Sequence, residues 1–171
     1  MRAFFALWPG EAQRSALHAL AIDVAARARG RPVARDMLHL TLVFLGDVDA
    51  RTIAGLEAAA GRLPDENIEL AMSRIGCWRK AKVAWMAPCE VPGSLGRLRE
   101  SLATAARDCG VQLEDRPYFP HLTLARGVAA AIPEERCAPI LLRFRGFCLV
   151  RSDLGKGGYE RIGRWPQGGR R

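Results

Sequence analysis

The alternation of apolar and polar residues along the chain predicts strands and helices that recur in the same order in each half. Apolar residues at every second position predict strands over 2–8, 37–45, 67–77 and 82–87. Apolar residues at helical spacing predict helices over 11–29, 50–62 and 94–109. A strand, a helix, a loop and another strand therefore appear twice, which indicates an internally duplicated α+β fold.

The last part of the chain contains two more predicted strands. Residues 129–139 are predicted to be an irregular loop, and strands are predicted over 140–151 and 158–165. A glycine-rich joint over 155–158 separates these strands, and 168–171 is expected to be a frayed tail. Since no low-complexity linker interrupts the chain, residues 1–171 are expected to form a single bilobal domain.

A four-residue motif occurs twice, as His39-Leu40-Thr41-Leu42 and as His121-Leu122-Thr123-Leu124. Each copy lies in a predicted strand, where successive side chains point to opposite faces of the sheet. The leucines of each copy therefore share the face that packs into a core, and each histidine shares the other face with a threonine. If the two lobes meet about a pseudo-twofold axis, both histidine–threonine faces line one cleft.

Two histidines that face each other across a cleft are typical of general acid–base catalysis. Because imidazole has an ordinary pKa near 6.5, one ring can be neutral and the other protonated at neutral pH. The hydroxyls of Thr41 and Thr123 suit an anion whose charge must be held while protons move, and phosphate is the leading candidate. A single strand histidine is usually structural, but packing gives no reason to repeat both residue types. His18 lacks such neighbours and is interpreted as a surface or boundary residue.

The composition of the chain indicates the charge of its partner and the cellular compartment. The chain has 23 arginines and 3 lysines, and its formal net charge of +8 favours an anionic partner such as nucleic acid. A composition rich in arginine, alanine and glycine also fits a GC-rich coding bias, so the charge alone leaves both explanations open. The five cysteines have no CxxC spacing and suit a reducing cytoplasm. The protein is expected to be a monomer.

No metal, cofactor or membrane segment is expected. The histidines and cysteines lack the spacing of a zinc site. The apolar run near the start is too short for a signal peptide, and there is no run of about 18 apolar residues to span a membrane. The absence of a serine or cysteine nucleophile motif favours attack by water or a substrate hydroxyl over a covalent enzyme intermediate.

The repeated motifs and their flanking residues resemble a known family. The two His-x-Thr-Leu tetrads resemble the signature of the 2H phosphoesterase superfamily. Their context resembles the bacterial RNA 2′,3′-cyclic phosphodiesterases, also called 2′-5′ RNA ligases. The matching segments are 4–7, 31–33, 38–46, 116–126 and 164–165. The resemblance covers nearly the whole chain and implies two antiparallel sheets flanked by helices, with a cleft between pseudo-twofold lobes.

The resemblance also implies a reaction and roles for the motif residues. The implied activity opens an RNA 2′,3′-cyclic phosphate to a 2′-phosphomonoester without a metal, and tRNA fragments are one candidate substrate. By analogy His39 is the general acid and His121 the general base, while the pseudo-symmetry of the lobes leaves the opposite assignment open from the sequence alone. Thr41 and Thr123 would hold the non-bridging phosphate oxygens. Arg126 matches a phosphate-contacting arginine of the family. In a regular strand, however, its side chain would point to the opposite face of the sheet from His121. A strand end or a bulge is needed to turn it inward; otherwise it is a solvated arginine.

Aromatic and basic residues near the motifs are further candidates for RNA contact. Phe5 and Phe44 match family positions where an RNA base could stack, but core packing is favoured for both, and also for Tyr118. The sequence does not rank the arginines that could guide an RNA backbone, among them Arg79, Arg116 and Arg151.

Three alternatives to cyclic-phosphate hydrolysis remain open. The same histidines could join RNA ends through a 2′-5′ bond, although no nucleotide-activation motif is present to drive ligation. The cleft could also act on another cyclic phosphate or on a 2′-5′ oligonucleotide. In a different class, the chain could be a non-catalytic RNA-binding module, whose affinity would survive loss of both histidines and weaken with salt.

Overall fold

The computed structural model describes residues 1–153 and 158–166, so residues 155–157 of the joint predicted over 155–158 and the predicted tail lie outside the described residues. The strands are β1 (Arg2–Leu7), β2 (Arg31–Pro32), β3 (Leu40–Asp47), β4 (Asn67–Trp78), β5 (Val83–Pro88), β6 (Leu122–Arg126), β7 (Glu135–Arg145), β8 (Phe147–Asp153) and β9 (Gly158–Trp165). The helices are α1 (Glu11–Arg27), α2 (Ala50–Ala60) and α3 (Gly93–Asp108). The strands and helices predicted for the repeated part are all present, with bounds shifted by a few residues. No described helix is long and apolar enough to cross a membrane.

The strands form one continuous antiparallel sheet in the order β7-β4-β5-β6-β3-β1-β8-β9, and β2 also pairs with β6. This order is symmetric about β6 and β3, the two strands that carry the repeated motif. These two strands meet through a single residue pair, Leu40 with Leu122. The expected α+β fold with two antiparallel halves is confirmed, and the structure shows that the halves are joined into one sheet.

The helices cross between the two halves of the sheet. Helix α1 packs on β6, which comes from the second half of the sequence, and α3 packs on β3, which comes from the first. The leucines of both motifs are buried beneath these helices, as predicted: Leu40, Leu42, Leu122 and Leu124 are each at most 2% exposed. Burial of the leucines fixes which face each strand turns to the core, and the opposite face is left for the cleft. Helices α1 and α3 therefore each cover the motif strand that comes from the other half of the sequence.

The region from 129 to 151 differs from the sequence prediction. The single strand predicted over 140–151 is two strands, because Gly146 breaks it with a φ of +109°. A Cβ at this position would collide with the carbonyl oxygen of Trp165, so only glycine fits the turn. The loop predicted over 129–139 contains the first residues of β7, which begins at Glu135.

Gly76 makes room for the indole of Trp85, its paired neighbour on β5. A Cβ at residue 76 would lie 2.5 Å from Cζ2 of Trp85. We expect Gly76→Ala to lower the free energy of unfolding by about 1–3 kcal/mol, because the displaced ring must leave its preferred rotamer. Gly96→Ala is the matched control. Residue 96 lies inside α3 with nothing within 4 Å of an added Cβ, so we expect stabilisation by about 1 kcal/mol. Urea unfolding measures both variants, and equal effects would contradict this account.

Candidate active site

The two motif histidines immediately precede β3 and β6 and are held in the same way. Nδ1 of His39 lies 2.7 Å from the carbonyl oxygen of Met37, and Nδ1 of His121 lies 2.9 Å from that of Phe119. A carbonyl oxygen only accepts hydrogen bonds, so both Nδ1 atoms carry a hydrogen and donate it. Each Nε2 is therefore the atom that exchanges protons, with a lone pair in the neutral ring and a proton in the charged one.

The pairing of the two motif strands sets the four predicted polar residues side by side on the sheet face opposite the buried leucines, and we call this face between the two motif strands the cleft. In this antiparallel register His39 is set toward Thr123, and Thr41 is set toward His121. All four residues are half-buried, and His121 is near enough to His39 to influence its pKa. Within the described part of the chain, no group of three or more His, Cys, Asp or Glu side chains is placed to hold a metal ion.

A bulge in β6 turns Arg126 toward the cleft. In the pairing with β5, Leu124 is an extra residue between Thr123 and Ala125. Leu124 and Ala125 are both fully buried, and the alternation restarts with Arg126 on the same face as Thr123. Arg126 is close enough to lower the pKa of both histidines. A one-residue bulge therefore brings Arg126 to the face of the sheet that the regular alternation of the strand would have denied it.

The first motif strand has the same bulge at the equivalent position. In the pairing with β1, Leu42 is an extra residue between Thr41 and Val43, and the alternation restarts with Phe44 on the cleft face. Phe44 is 38% exposed, so the prediction that it packs in the core is wrong. Phe5 is buried, as expected. Each bulge thus redirects the fifth residue after its histidine.

A cavity of about 400 Å³ opens beside His121. Its walls include Thr41 from the first motif strand, the exposed rings of Phe44 and Trp78, and Tyr118. The hydroxyl of Tyr118 donates to the carbonyl oxygen of Thr41 at 3.0 Å, which ties the loop before the second motif to the first motif strand. Burial raises the pKa of Tyr118, so the hydroxyl keeps the proton that this bond needs. Tyr118 packs against the core, as predicted, and it also links the two motifs.

Comparison with known proteins identifies the family of the chain. The family model of the 2′-5′ RNA ligase superfamily matches residues 9–155. The chain belongs to this superfamily. The RNA 2′,3′-cyclic phosphodiesterase of Escherichia coli (strain K12) is 36% identical to it over 132 residues, which cover 77% of this chain and 74% of the relative. The protein of the same name from Thermus thermophilus is 32% identical over 168 residues, covering 90% and 83%.

The fold of the chain also matches that of a solved structure. The crystal structure of E. coli LigT complexed with 3′-AMP matches this chain with a TM-score of 0.86 at 32% identity, covering 96% of each chain. The family and fold that the motifs implied are therefore confirmed.

In the present chain, His39 is enclosed by aromatic rings that the sequence analysis did not identify. The ring of Trp8 is stacked on His39 with centroids 5.2 Å apart and planes 9° apart, and Phe4 is stacked at 4.9 Å. Tyr159 meets His39 by an edge contact, with centroids 5.0 Å apart. These contacts fix the ring plane of His39 and reduce its access to water.

His121 has its own aromatic neighbours. Trp78 makes an edge contact with His121 at a centroid distance of 4.6 Å, and Phe119 is stacked at 6.0 Å. Trp85 packs against both of these rings, at 5.7 Å from Trp78 and 5.0 Å from Phe119. The local pattern carried no signal for most of these partners, because only the tertiary fold brings β4 and β5 to the second motif.

This enclosure makes both imidazoles of the superfamily site hard to protonate in the free protein. Burial lowers the pKa of His39 to about 4, and the charges of Arg126 and His121 act in the same direction against the opposing hydrogen bond to Met37. Burial also lowers the pKa of His121, with Arg116 and Arg126 contributing. Both rings are therefore neutral near pH 7 without a bound anion. The expectation that one ring is protonated at neutral pH is corrected for the free protein.

The lowered pKa of His39 predicts a loss of stability in acid. The unfolded chain has an ordinary histidine pKa near 6.5, so it binds the proton first as the pH falls. The stabilising contribution of His39 is therefore complete above pH 6.5 and is lost between pH 6.5 and about 4, by up to about 3 kcal/mol. Urea unfolding across this range should show a smaller loss in His39→Asn than in the wild type. An identical pH dependence in both proteins would contradict the assignment.

Proposed function

We propose that this protein hydrolyses RNA 2′,3′-cyclic phosphate ends to 2′-phosphomonoesters by metal-independent catalysis with two histidines. The observation that carries this proposal is one cleft in which His39 and His121 both have Nε2 available, with Arg126 nearby. These side chains supply a general acid, a general base and a phosphate-binding cation. The E. coli and T. thermophilus relatives carry the name of this activity.

In the proposed reaction, water attacks the cyclic phosphorus opposite the 3′ oxygen. Nε2 of His121 takes a proton from the water as the new P–O bond forms. The bond between phosphorus and the 3′ oxygen breaks, and Nε2 of protonated His39 gives its proton to that oxygen. The product is a 2′-phosphomonoester, with His121 protonated and His39 neutral. One proton must then pass from His121 to solvent and another must return to His39 before the next cycle.

Substrate binding must favour the proton on His39, because its pKa is about 4 in the free protein. A cyclic phosphate carries one negative charge, and an anion at hydrogen-bond distance stabilises the imidazolium form. We infer that Arg126, Thr41 and Thr123 hold the non-bridging oxygens and set the anion beside both rings. The low pKa then keeps His39 uncharged until a phosphate is bound.

The cavity beside His121 is suited to the base of the terminal nucleotide. Phe44 and Trp78 are 38% and 37% exposed, and both line this cavity. Stacking of a base on an aromatic ring contributes about 1–3 kcal/mol and accepts any base. We therefore expect Phe44→Ala to raise KM for a cyclic nucleotide by about tenfold, with kcat little changed. Phe44→Trp should preserve KM, and steady-state kinetics with a 2′,3′-cyclic nucleotide tests both. An unchanged KM in Phe44→Ala would contradict this role.

The RNA substrate, the compartment and the oligomeric state extend this proposal. We propose that the substrates include tRNA fragments, and that the protein works as a cytoplasmic monomer. The five unpaired cysteines support a reducing compartment. Size-exclusion chromatography with light scattering tests the monomer, and turnover of a cleaved tRNA with a cyclic phosphate end tests the substrate.

The test of the proposed function is turnover, in EDTA, of a short RNA that ends in a 2′,3′-cyclic phosphate. We expect a product whose phosphate remains on the 2′ oxygen, as assigned by phosphorus NMR. A 3′-phosphate product would contradict the proposed direction of ring opening. RNA binding without turnover would favour the non-catalytic RNA-binding module instead.

A further inference from the structure

Six basic side chains cluster at one end of β5, β6 and β2, next to the catalytic cleft. They are Arg29, Arg31, Arg79, Lys80, Lys82 and Arg126, and all six are exposed. We call the five outside the cleft, without Arg126, the basic rim. Two of the three lysines in the whole chain belong to it.

Backbone contacts hold the basic rim together. Val83 pairs with Arg126, which sets the turn between β4 and β5 beside the end of β6. The backbone N–H of Val128 donates to the carbonyl oxygen of Lys82 at 3.1 Å. On the other side of β6, Arg31 pairs with Arg126 through β2. The cations therefore lie on neighbouring segments fixed by the sheet.

The basic rim lacks the acidic partners that ten of the other described arginines have. Ten arginines elsewhere form ion pairs with Asp or Glu: Arg14, Arg27, Arg35, Arg74, Arg97, Arg99, Arg107, Arg116, Arg143 and Arg151. Among the described residues, no member of the basic rim has such a partner. This difference ranks the arginines that the sequence left unranked. Arg116 and Arg151 are paired with Glu114 and Glu160, and Arg79 is available for an external anion.

The basic rim is continuous with the cleft through Trp78. This residue ends β4 immediately before Arg79, contacts His121 and lines the cavity beside His121. Lys82, in the same turn, has a φ of +52°, a conformation that favours glycine. An RNA strand that leaves the cavity past Trp78 would therefore meet the unpaired cations of this turn.

We propose that the basic rim binds the phosphate backbone of the RNA upstream of its cyclic phosphate, with the turn residues Arg79, Lys80 and Lys82 as its central contacts. This inference rests on the proposed function, because it assumes that the cleft holds the RNA 3′ end. It adds that the protein selects polymeric RNA over a cyclic mononucleotide. A single-stranded RNA is the partner that fits, since it offers one negative charge per nucleotide and can bend into the cleft.

The test compares Lys80→Gln/Lys82→Gln with the wild type on two substrates. One is an RNA of about ten nucleotides ending in a 2′,3′-cyclic phosphate, and the other is a 2′,3′-cyclic mononucleotide. We expect KM and Kd for the RNA to rise by about tenfold at about 0.1 M salt, and the slope of log Kd against log salt to fall by about 1.4. Kinetics on the mononucleotide should not change. Arg107→Gln/Arg143→Gln is the matched control, because it removes the same charge from ion-paired residues.

Three outcomes would overturn the basic rim proposal. The first is unchanged RNA affinity in the lysine variant, and the second is an equal loss on both substrates. The third is an equal loss of RNA affinity in the control variant, which would indicate a general charge effect. If the wild type turned over neither substrate, the proposed function would fail, but the anisotropy titrations that give Kd would still decide the RNA contact.

Discussion

Replacing His39 or His121 with asparagine is expected to lower kcat for cyclic-phosphate hydrolysis by about 10²–10⁴-fold in each case. Asparagine can place an amide N–H near the position of Nδ1, so it can keep the hydrogen bond to the carbonyl oxygen of Met37 or Phe119. It has no atom at the position of Nε2. The variant therefore removes the proton-exchanging atom with little change in the local fold. Single-turnover kinetics with saturating enzyme measures the effect on the chemical step.

The two histidine replacements should not be additive. Because one proton enters as the other leaves, removing either group stalls the same step, and the double variant should be only slightly slower than either single one. His18→Asn is the control, since His18 lies in α1 and contacts the carbonyl oxygen of Val33 outside the cleft. A loss below about tenfold in either single variant, with unfolding unchanged, would remove that histidine from the mechanism.

Arg126→Ala is expected to lower kcat/KM by about 100-fold, the second largest effect, because a charged hydrogen bond to a phosphate oxygen contributes about 1.5–3 kcal/mol. The same variant should raise the pKa of both histidines, since the charge of Arg126 lowers each of them in the wild type. Steady-state kinetics measures the first effect, and an NMR titration of the imidazoles measures the second. The second readout distinguishes an arginine in the cleft from one in solvent.

Arg143→Ala is the control for Arg126. Arg143 is an exposed arginine whose ion pair with Glu69 lies on β4 and β7, outside the cleft. Its loss should leave kcat/KM and both histidine pKa values unchanged. If Arg126→Ala behaved in the same way, the bulge in β6 would have no role in substrate binding.

The polar half of the site could be predicted because strand alternation is a local property. The buried leucines set the faces of both motifs, so His39, Thr41, His121 and Thr123 could be assigned to one cleft from the sequence alone. Arg126 could be named only through the family resemblance. A bulge adds one residue without changing the apolar pattern, so the sequence could not show where the alternation restarts. The same insertion explains why Phe44 was wrongly expected in the core.

The surroundings of the histidines could not be predicted, because they depend on which strands become neighbours. Trp8 and Tyr159 reach His39 from opposite ends of the chain, and Trp78 reaches His121 from β4. Their enclosure changes the chemistry, since it lowers the pKa of both rings by removing them from water. The crossing of α1 and α3 between the halves was missed for the same reason, as helical spacing does not identify the sheet that a helix covers.

The central claim is that the two histidines divide acid and base roles on a cyclic phosphate, and a 3′-thio substrate tests it most directly. In this substrate sulfur replaces the departing 3′ oxygen, and a thiol has a pKa near 8.5, so its thiolate leaves without a general acid. We predict that His39→Asn regains most of the wild-type rate on the sulfur substrate, while His121→Asn stays impaired because water must still lose its proton. Equal impairment of both variants on the sulfur substrate, or rescue of His121→Asn alone, would contradict this assignment.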